Sequence, residues 1–460
     1  MPKPFLVPLT FAAALASAGA SAAQDVPTSQ AQINLSFAPV VRKAAPAVVN
    51  VYAKVLRQTV NPFFQMFGGY GPTEERMARS LGSGVIVRPD GVIVTNNHVI
   101  AGGQDIMVAL GDRREFPAKV LYVDSKADVA VLKIDVGGEQ LPVMPLAQAD
   151  ESQVGDLVLA IGDPFGVGQT VTNGIVSAVA RSDVGVTSVP YFIQTDAPIN
   201  PGNSGGALVN MSGEMIGMNT AILSGTGTSA GIGFAIPAPL VRHIVQQALA
   251  GGAATERAWL GLKTQGVSAA IAKTLGLPRP EGALVTDVWP GGPGERAGIR
   301  SGDLILSLDG HPIDDDAALN YRIATLDAGQ DVTVAYRRGN GAEQTARLRL
   351  SPLPAEPARD EQTIDGHNPL QGATVENLSP AVADQMGLDP FAASHGVMIT
   401  KIAGGFAAGY FQPGDLVREV NGHAVASVSD LKAALTTGAS GVWRLVIVRG
   451  NQVMTGQFSI

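Results

Sequence analysis

The sequence predicts a mainly β protein, with an all-β barrel or sandwich domain followed by two copies of a smaller module. Its 460 residues include 55 glycines and 30 prolines, which indicate many turns and therefore many strands. Runs rich in valine and isoleucine alternate with those turns from about residue 39 to residue 222. Further on, "GDLILSLDGHPI" at Gly302 returns as "GDLVREVNGHAV" at Gly414, which indicates a repeated module.

The first residues, "MPKPFLVPLTFAAALASAGASAAQD", have the pattern of a cleaved export signal. Lys3 supplies a positive charge, an apolar run follows, and small residues end the stretch. A membrane anchor is the alternative, but the apolar run is short and Pro8 interrupts it. We expect a signal peptide over 1–23, cut near Ala22 or Ala23, then a short N-terminal segment over 24–38 and no stable membrane span.

Charge and cysteine content exclude several classes of function. The net charge of -8 disfavours nucleic acid as the main partner. The chain has no cysteine, which rules out disulfides, thiolate chemistry and cysteine-based metal sites. We expect neither a cofactor nor a metal.

The β-rich segment ends in a helix. In "APLVRHIVQQALAGG" the apolar residues recur at helical spacing and a glycine pair follows them. The predicted buried face consists of Leu240, Val241, Ile244, Val245, Ala248 and Leu249. We expect this first domain to span 39–252.

The two copies of the repeat predict one module over 256–350 and another over 370–460. Each copy is preceded by a glycine-rich turn, "WPGGPGERAGIRSGD" in the first and "IAGGFAAGYFQPGD" in the second. Between the modules, prolines and charges in "SPLPAEPARDEQTIDGHNP" predict a linker over 351–369.

A serine stands among glycines in "NPGNSGGALVN". The hydroxyl of Ser204 is a weak nucleophile that needs a base, and the base needs an orienting acceptor. Of the two histidines in this domain, His243 lies in the closing helix, where a structural role is expected. His98 follows the strand "GVIVTNN", where a barrel presents side chains at its rim. His98 is therefore the predicted base.

Asp128 is the favoured partner for that histidine. It opens the apolar run "DVAVLKI", where an unpaired carboxylate would be costly to bury. Asp124 and Asp196 stay open as surface or structural alternatives.

The glycines around Ser204 predict an oxyanion site at Gly202, Asn203 and Ser204. Glycine permits the tight turn that would aim the amides of Gly202 and Ser204 at one point. A purely structural turn is the alternative for the motif alone. The order His, Asp, Ser along the chain favours the catalytic interpretation.

These motifs together resemble the HtrA/DegP family of exported serine proteases. The likeness rests on "TNNHVI", "ADVAVLKI", "IGDPFG", "TVTNGIVSAV", "FIQTDAPINPGNSGGALVN" and "GIGFAIP", and it covers essentially the whole mature chain. It implies a chymotrypsin-like double β-barrel with His98, Asp128 and Ser204 as the triad, two PDZ domains (α+β), and no cofactor. It also implies ATP-independent cleavage of unfolded proteins in the periplasm, often with chaperone behaviour, by trimers or multiples of trimers.

One segment departs from DegP itself. Residues 57–80 occupy the place of the family's regulatory loop but are shorter, which resembles the DegQ or mucoid-associated protease branch rather than the cage-forming DegP. This loop contains Phe63, Phe64 and Phe67. These rings are expected to pack either on their own barrel or on a neighbouring subunit or the active-site mouth.

PDZ grooves add a peptide strand to a sheet edge and capture its terminal carboxylate with backbone amides. By resemblance, the first module would do so with "RAWLGL", which contains Arg257, Leu260, Gly261 and Leu262; a core strand start is the alternative. In the second module "QGATVENLS" is the candidate, and the glycine-rich turn there is degenerate.

The predicted function is endoproteolysis of unfolded exported proteins, with PDZ domains that bind substrate peptides or C-termini. The alternative is a holdase chaperone or PDZ scaffold whose protease domain is idle at rest. Residues 217–236 contain no Asp or Glu, so a small or medium aliphatic residue before the cleaved bond is expected rather than a basic one.

Overall fold

The computed structural model describes residues 36–60, 73–148, 152–164, 168–181, 191–200, 202–222, 231–251, 257–392, 396–436, 441–450 and 452–460. The predicted signal peptide and Phe63, Phe64 and Phe67 lie outside these residues. Over the described ranges, no helix is long and apolar enough to cross a membrane.

The first barrel follows a short helix, α1 (Ala38–Ala44), and a 3-10 turn (Ala45–Ala47). Its elements are β1 (Val48–Val60), β2 (Thr73–Arg88), β3 (Val92–Asn96), α2 (Asn97–Ile100), β4 (Gly103–Ala109), β5 (Glu115–Asp124) and β6 (Val129–Ile134). The antiparallel strands close in the order β1-β2-β3-β6-β5-β4. Strands β3 and β6 are almost wholly buried, which matches their continuous apolar sequence.

The second barrel has the same number of strands. Its elements are β7 (Leu157–Gly162), β8 (Thr170–Arg181), β9 (Phe192–Thr195), β10 (Ala207–Val209), β11 (Met215–Ile222) and β12 (Gly233–Pro237), followed by α3 (Ala238–Leu249). The strands close in the order β10-β11-β12-β9-β8-β7. Closure leaves no unpaired edge, so the barrel rather than the sandwich is the structure of both halves. The predicted closing helix is present, and six of its seven buried residues are apolar. Leu249, which the sequence assigns to the predicted buried face, is instead 40% exposed because it lies in the last turn of the helix.

Buried polar bonds join the two barrels next to the Ser204 turn. The Ser83 amide donates to the Ser204 carbonyl at 2.8 Å, and its hydroxyl donates to the Gly202 carbonyl at 2.6 Å. The same hydroxyl accepts from the Asp163 amide at 2.8 Å, while the Asn50 side chain donates to the Asp163 carbonyl at 2.7 Å. These bonds hold the turn against the first barrel, where His98 and Asp128 lie.

The first small module has a main sheet, a separate two-stranded sheet and three short helices. Its elements are β13 (Ala258–Trp259), β14 (Leu262–Gly266), α4 (Ala269–Thr274), β15 (Ala283–Val288), α5 (Pro293–Arg296), β16 (Asp303–Leu308), β17 (His311–Pro312), α6 (Asp316–Ala324), β18 (Asp331–Arg338), β19 (Glu343–Arg349) and β20 (Ser351–Pro352). The main sheet has the order β14-β15-β16-β18-β19, and β13 pairs with β20.

The second module repeats this arrangement. Its elements are β21 (Gln362–Thr363), β22 (Ala373–Asn377), α7 (Pro380–Gln385), a 3-10 turn (Pro390–Ala392), β23 (Val397–Ile402), a 3-10 turn (Phe406–Gly409), β24 (Leu416–Val420), β25 (His423–Ala424), α8 (Val428–Thr436), β26 (Val442–Arg449) and β27 (Gln452–Ser459). The sheet order is β21-β22-β23-β24-β26-β27.

The repeated "GD" pair has the same structural role in both modules. Asp303 is buried and accepts two bonds from Arg338, both 2.8 Å, while Asp415 accepts two from Arg449, both 2.6 Å. A buried carboxylate needs such a bidentate partner. Each ion pair joins two neighbouring strands of a sheet, β16 and β18 in the first module and β24 and β26 in the second.

The segment predicted as a linker is partly built into both modules. Ser351 and Pro352 form β20, and Gln362 and Thr363 form β21. The modules also touch, because Phe391 packs against Trp259 and Trp289, with ring centroids 5.8 and 5.7 Å apart. The segment predicted as a linker is therefore not only a linker, because both of its short strands pair with strands of the modules.

Candidate active site

His98 and Asp128 lie side by side at the rim of the first barrel. His98 is in the single-turn helix α2, directly after β3, and half of its side chain is exposed. Its Nδ1 is 2.7 Å from Asp128 Oδ2, and its backbone N–H donates to Oδ1 at 2.9 Å. Both carboxylate oxygens therefore fix the position of one residue.

Asp128 is buried and has an unusual backbone. Its φ of +56° lies in the left-handed region, which few residues other than glycine, asparagine and aspartate adopt. Its carbonyl accepts from Asn97 N–H at 3.1 Å and from the Asn96 side chain at 2.9 Å. These bonds tie the turn before β6 to the start of α2, so the carboxylate is held facing the imidazole.

The two alternative carboxylates have other partners. Asp124 accepts from Arg257 at 2.5 and 2.6 Å and from the amides of its own turn. Asp196 accepts from the Ile175 amide at 2.7 Å. Asp128 is the one of the three that bonds His98.

Ser204 lies across from this pair on the second barrel. The half-buried side chain donates to the Thr220 carbonyl at 3.1 Å. The Thr220 hydroxyl in turn donates to Asp128 Oδ2 at 2.8 Å. Thr220 thus connects the serine to the aspartate, so the three predicted residues belong to one hydrogen-bonded group.

Thr220 is the residue that the sequence did not indicate. It lies in "GMNTAI" on β11, a strand for which the sequence suggested no catalytic residue. A lone threonine in a buried strand carries no signal of its own. Its position opposite both Ser204 and Asp128 depends on how the two barrels meet.

The backbone amides of the Ser204 turn fall into two groups. Within the described residues, neither the Gly202 nor the Ser204 N–H donates to a backbone carbonyl. The Asn203 N–H, which was predicted to belong to the oxyanion site, donates instead to the Asn200 carbonyl at 3.0 Å. Asn203 closes the turn and is not placed as an oxyanion donor.

Glycine is required next to the nucleophile candidate. Gly205 has a φ of +83°, and a Cβ there would lie 2.1 Å from the Ser83 carbonyl oxygen of the other barrel. Only a residue without a side chain allows this approach. The glycines of the motif are therefore explained by the contact between barrels as well as by the turn.

His243 has the structural environment that its place in α3 predicted. The buried imidazole is 2.7 Å from the Gln247 side chain. Desolvation lowers its pKa, against the attraction of Asp327 and Asp124, so it is predominantly neutral at pH 7. It is not joined to Ser204.

In the first module the predicted peptide-binding residues separate into two groups. Gly261 has a φ of +69° and lies at the loop before β14, beside the buried Leu260 and the half-buried Leu262. Arg257 instead forms the ion pair with Asp124 of the first barrel. Its role in the structure is to join the module to the barrel.

The groove between β14 and α6 opens into a cavity of about 350 Å³. Both barrel-side and second-module residues contribute to its walls, including Lys126, Ile244 and Phe391. Desolvation lowers the pKa of Lys126, whose ammonium is paired with Asp384 of the second module. The groove therefore faces a junction of three domains.

Comparison with known proteins identifies the family. The trypsin-like peptidase domain family matches residues 82–218, and the PDZ domain family matches residues 258–350. The periplasmic pH-dependent serine endoprotease DegQ of Escherichia coli (strain K12) is 39% identical over 425 residues, which cover 91% of this chain and 90% of DegQ. The chain belongs to the HtrA family of periplasmic serine endoproteases.

Further HtrA-family proteins are also similar to this chain. A probable periplasmic serine endoprotease of Marinomonas sp. (strain MWYL1), described as DegP-like, is 38% identical over 417 residues, covering 86% of this chain and 87% of its own. The solved structure of the HtrA-type protease AlgW with tripeptide is 40% identical, with a TM-score of 0.54, and covers 69% of this chain and 98% of its own. AlgW with decapeptide is 41% identical, with a TM-score of 0.52, and covers 69% and 99%.

Family membership confirms the fold class, the enzyme class and the location predicted from the sequence. The chain is a periplasmic serine-type endopeptidase with a chymotrypsin-like double β-barrel and PDZ domains.

Proposed function

We propose that Ser204, His98 and Asp128 are the catalytic triad of an endopeptidase that degrades unfolded exported proteins. Ser204 Oγ would leave the Thr220 carbonyl, pass its proton to His98 Nε2 and attack the scissile carbonyl. Asp128 holds Nδ1–H and stabilises the imidazolium. The developing oxyanion would accept from the Gly202 and Ser204 amides. As the intermediate collapses, His98 Nε2–H would protonate the leaving amine. Water, deprotonated by His98, would then hydrolyse the acyl-enzyme, and His98 would return the proton to Ser204 Oγ.

The observation that carries this proposal is that one carboxylate, that of Asp128, has hydrogen-bond partners on both barrels. Its carboxylate bonds both His98 and Thr220, and Thr220 holds Ser204. This arrangement supports the proposal, because it joins the proposed base, its orienting acceptor and the proposed nucleophile in one hydrogen-bonded group.

Casein digestion tests the assignment. Ser204→Ala should abolish cleavage while folding and peptide binding persist, because only the nucleophile is removed. His98→Ala should be nearly as inactive, since triad members act as a unit. Cleavage by a pure Ser204→Ala protein would overturn the assignment.

We further propose that the first PDZ domain binds substrate peptides or C-termini at Leu260, Gly261 and Leu262. Support comes from the outer edge of β14, which pairs with no other strand in the part of the chain that the structure describes, and from the groove between β14 and α6. Tethered binding would raise the substrate concentration near the active site.

A holdase role at rest is the second candidate. It is favoured by the Ser204 hydroxyl, which bonds Thr220 rather than His98 in this structure. A chain in this state could hold an unfolded partner without cutting it. Suppression of aggregation by Ser204→Ala at the level of the unmodified protein would support this role, and no suppression would exclude it.

The remaining proposals concern organisation. We propose a signal peptide over 1–23, an N-terminal segment over 24–38, a protease domain over 39–252, PDZ domains over 256–350 and 370–460, and assembly as a trimer or a multiple of it.

The phenylalanines of the regulatory loop are proposed to control activity. Strands β1 and β2, which flank this loop in the sequence, pair with each other up to Val60 and Thr73. A small or medium aliphatic preference at the cleaved bond is also proposed.

A further inference from the structure

The two modules share the elements of a peptide groove. Gly372 precedes β22 as Gly261 precedes β14, with φ of +86° and +69°. Ser379 caps the helix after β22 just as Ser268 caps the helix after β14. In the second module, β22 and α8 therefore correspond to the strand and the helix that border the peptide groove of the first.

The outer edge of that strand differs between the modules. β14 is the terminal strand of its sheet, while β22 lies between β23 and β21. β21 is antiparallel to β22, with Gln362 opposite Val375 and Thr363 opposite Thr374. A piece of the chain itself therefore occupies the edge to which a peptide would be added.

The hydrogen bonds at the end of β21 reproduce capture of a ligand's last residue. Ile364 N–H donates to the Ala373 carbonyl at 2.8 Å, and the Ile364 carbonyl accepts from Gly372 N–H at 2.9 Å. A PDZ loop would offer the same amide to a terminal carboxylate. In the described part of the first module, the matching Gly261 N–H donates to no backbone carbonyl.

The side chain of Ile364 is buried as a ligand's terminal residue would be. It is 4% exposed and belongs to the same core cluster as Val428 and Leu431 of α8. Upstream, the Arg359 guanidinium lies 3.2 Å from the buried Glu376 carboxylate, and the Arg359 carbonyl accepts from Asn377 N–H at 2.7 Å. Contacts thus run along the whole length of β22.

We propose that residues 360–364, Asp-Glu-Gln-Thr-Ile, fill the groove of the second PDZ domain as an internal ligand. Free C-terminal peptides ending in a β-branched aliphatic residue enter only when this strand leaves. The inference deepens the peptide-binding part of the proposed function and is independent of the catalytic triad.

Competition between the two ligands follows from their chemistry. The internal strand continues into Asp365, so it presents one neutral carbonyl oxygen to the loop. A true C-terminus presents a charged carboxylate, which makes stronger hydrogen bonds with amides. The internal strand compensates by its tether, which gives it a high effective concentration.

A disulfide can lock the strand in place. Thr363 and Thr374 are opposite each other, with their hydroxyl oxygens 3.3 Å apart, and the chain has no native cysteine. The double variant Thr363→Cys with Thr374→Cys should therefore form one defined bond on oxidation. The reduced form of the same protein is its control.

The probe is a photo-cross-linkable peptide ending in Asp-Glu-Gln-Thr-Ile with a free carboxylate, and the amidated peptide is its control. The full-length protein carries Ser204→Ala so that it does not cleave the peptide. Mass spectrometry shows which module is labelled. We expect at least about tenfold more label on the second module in the reduced than in the oxidised form. The amidated peptide should label the second module weakly in both the reduced and the oxidised form. Labelling of the first module should be the same in the two forms.

Ile364→Ala is the opening variant, because it removes the buried side chain and keeps the backbone. It should increase label on the second module at least about tenfold over the unmodified chain. Val453→Ala removes an exposed aliphatic side chain from the same module and should change nothing.

Hydrogen exchange on the reduced cysteine protein keeps the test decisive if Ile364→Ala unfolds the module. Excess free peptide should accelerate exchange of the Ile364 amide and leave that of β26 unchanged. Equal labelling of oxidised and reduced protein, or an Ile364 amide insensitive to the peptide, would overturn the proposal. Either result would leave the Ser204 assignment intact, because no readout uses proteolysis.

Discussion

At the scale of single residues, the site depends on one aspartate with a left-handed backbone. Asp128 has a φ of +56° and only 7% exposure, and its carboxylate accepts from His98 and Thr220. The strain is compatible with Asp and Asn, whose side chains tolerate this region. The same residue therefore sets both the turn and the orientation of the imidazole.

Asp128→Asn should fold normally, because asparagine tolerates the same φ, yet lose most activity. An amide favours the wrong imidazole tautomer, which costs roughly 10⁴-fold in kcat in the serine protease template. Peptide hydrolysis measures the loss. Asp124→Asn is the control and should keep its activity, since Asp124 bonds Arg257 rather than His98. The reverse pattern would move the orienting role to Asp124.

Thr220→Val should lower kcat/KM roughly 10- to 100-fold without unfolding the protein. Valine keeps the shape but removes the hydroxyl that donates to Asp128, and a hydrogen bond to a charged group contributes about 1.5–3 kcal/mol. Thr220→Ser restores a donor and should recover most of the rate. If Val and Ser behave alike, the hydroxyl does not orient Asp128.

At the scale of elements, the Ser204 turn is the point where the second barrel reaches the first. Ser83 on β2 bonds both the Gly202 and Ser204 carbonyls, and Gly205 approaches the Ser83 carbonyl closely. The turn has little freedom, because its position is determined by both barrels. Packing between elements thus determines where the nucleophile candidate lies.

Gly205→Ala should inactivate the enzyme and lower its thermal unfolding midpoint. The new Cβ would lie 2.1 Å from the Ser83 carbonyl oxygen, so the barrels must separate or the turn must move. Gly138→Ala is the matched control, with a φ of +90° but no atom within 4 Å of its Cβ. This control variant should remain active and lose only about 1–2 kcal/mol of stability, which is the cost of a side chain in the left-handed region. An equal effect of both substitutions would show that the contact with Ser83 is unimportant.

At the scale of the whole molecule, charged and aromatic contacts join the three domains. Arg257 pairs with Asp124, Lys126 with Asp384, and Lys263 with Asp389. Tyr191 of the second barrel stacks on Tyr321 of α6, with ring centroids 3.9 Å apart. The groove of the first PDZ domain faces this junction, so peptide binding there is physically connected to the arrangement of domains.

Truncation after Leu353 should leave a folded protease with an intact first PDZ domain. Truncation after Leu350 also removes β20, the partner of Ala258 and Trp259 just before the binding loop. Losing these backbone bonds should cost roughly 1–2 kcal/mol and weaken peptide binding several-fold. Fluorescence polarisation of a labelled peptide compares the two. Identical affinities would show that β20 does not support the loop.

The sequence by itself determined the family, the three-domain order and the identities of Ser204, His98 and Asp128 as candidates. It could do so because these features are local: a glycine-bounded serine, an apolar run opened by a carboxylate, and a repeated segment. The tertiary structure decided the partner of each carboxylate, the role of Thr220, the use of the Asn203 amide within its own turn, and the return of Ile364 to the second PDZ domain. The partners of Asp128 and Asp124 and the position of Thr220 depend on groups that lie far apart along the chain, and only the packing of barrels and domains brings these groups together. The Asn203 amide depends on the detailed shape of one turn, and Ile364 depends on the pairing of two strand edges.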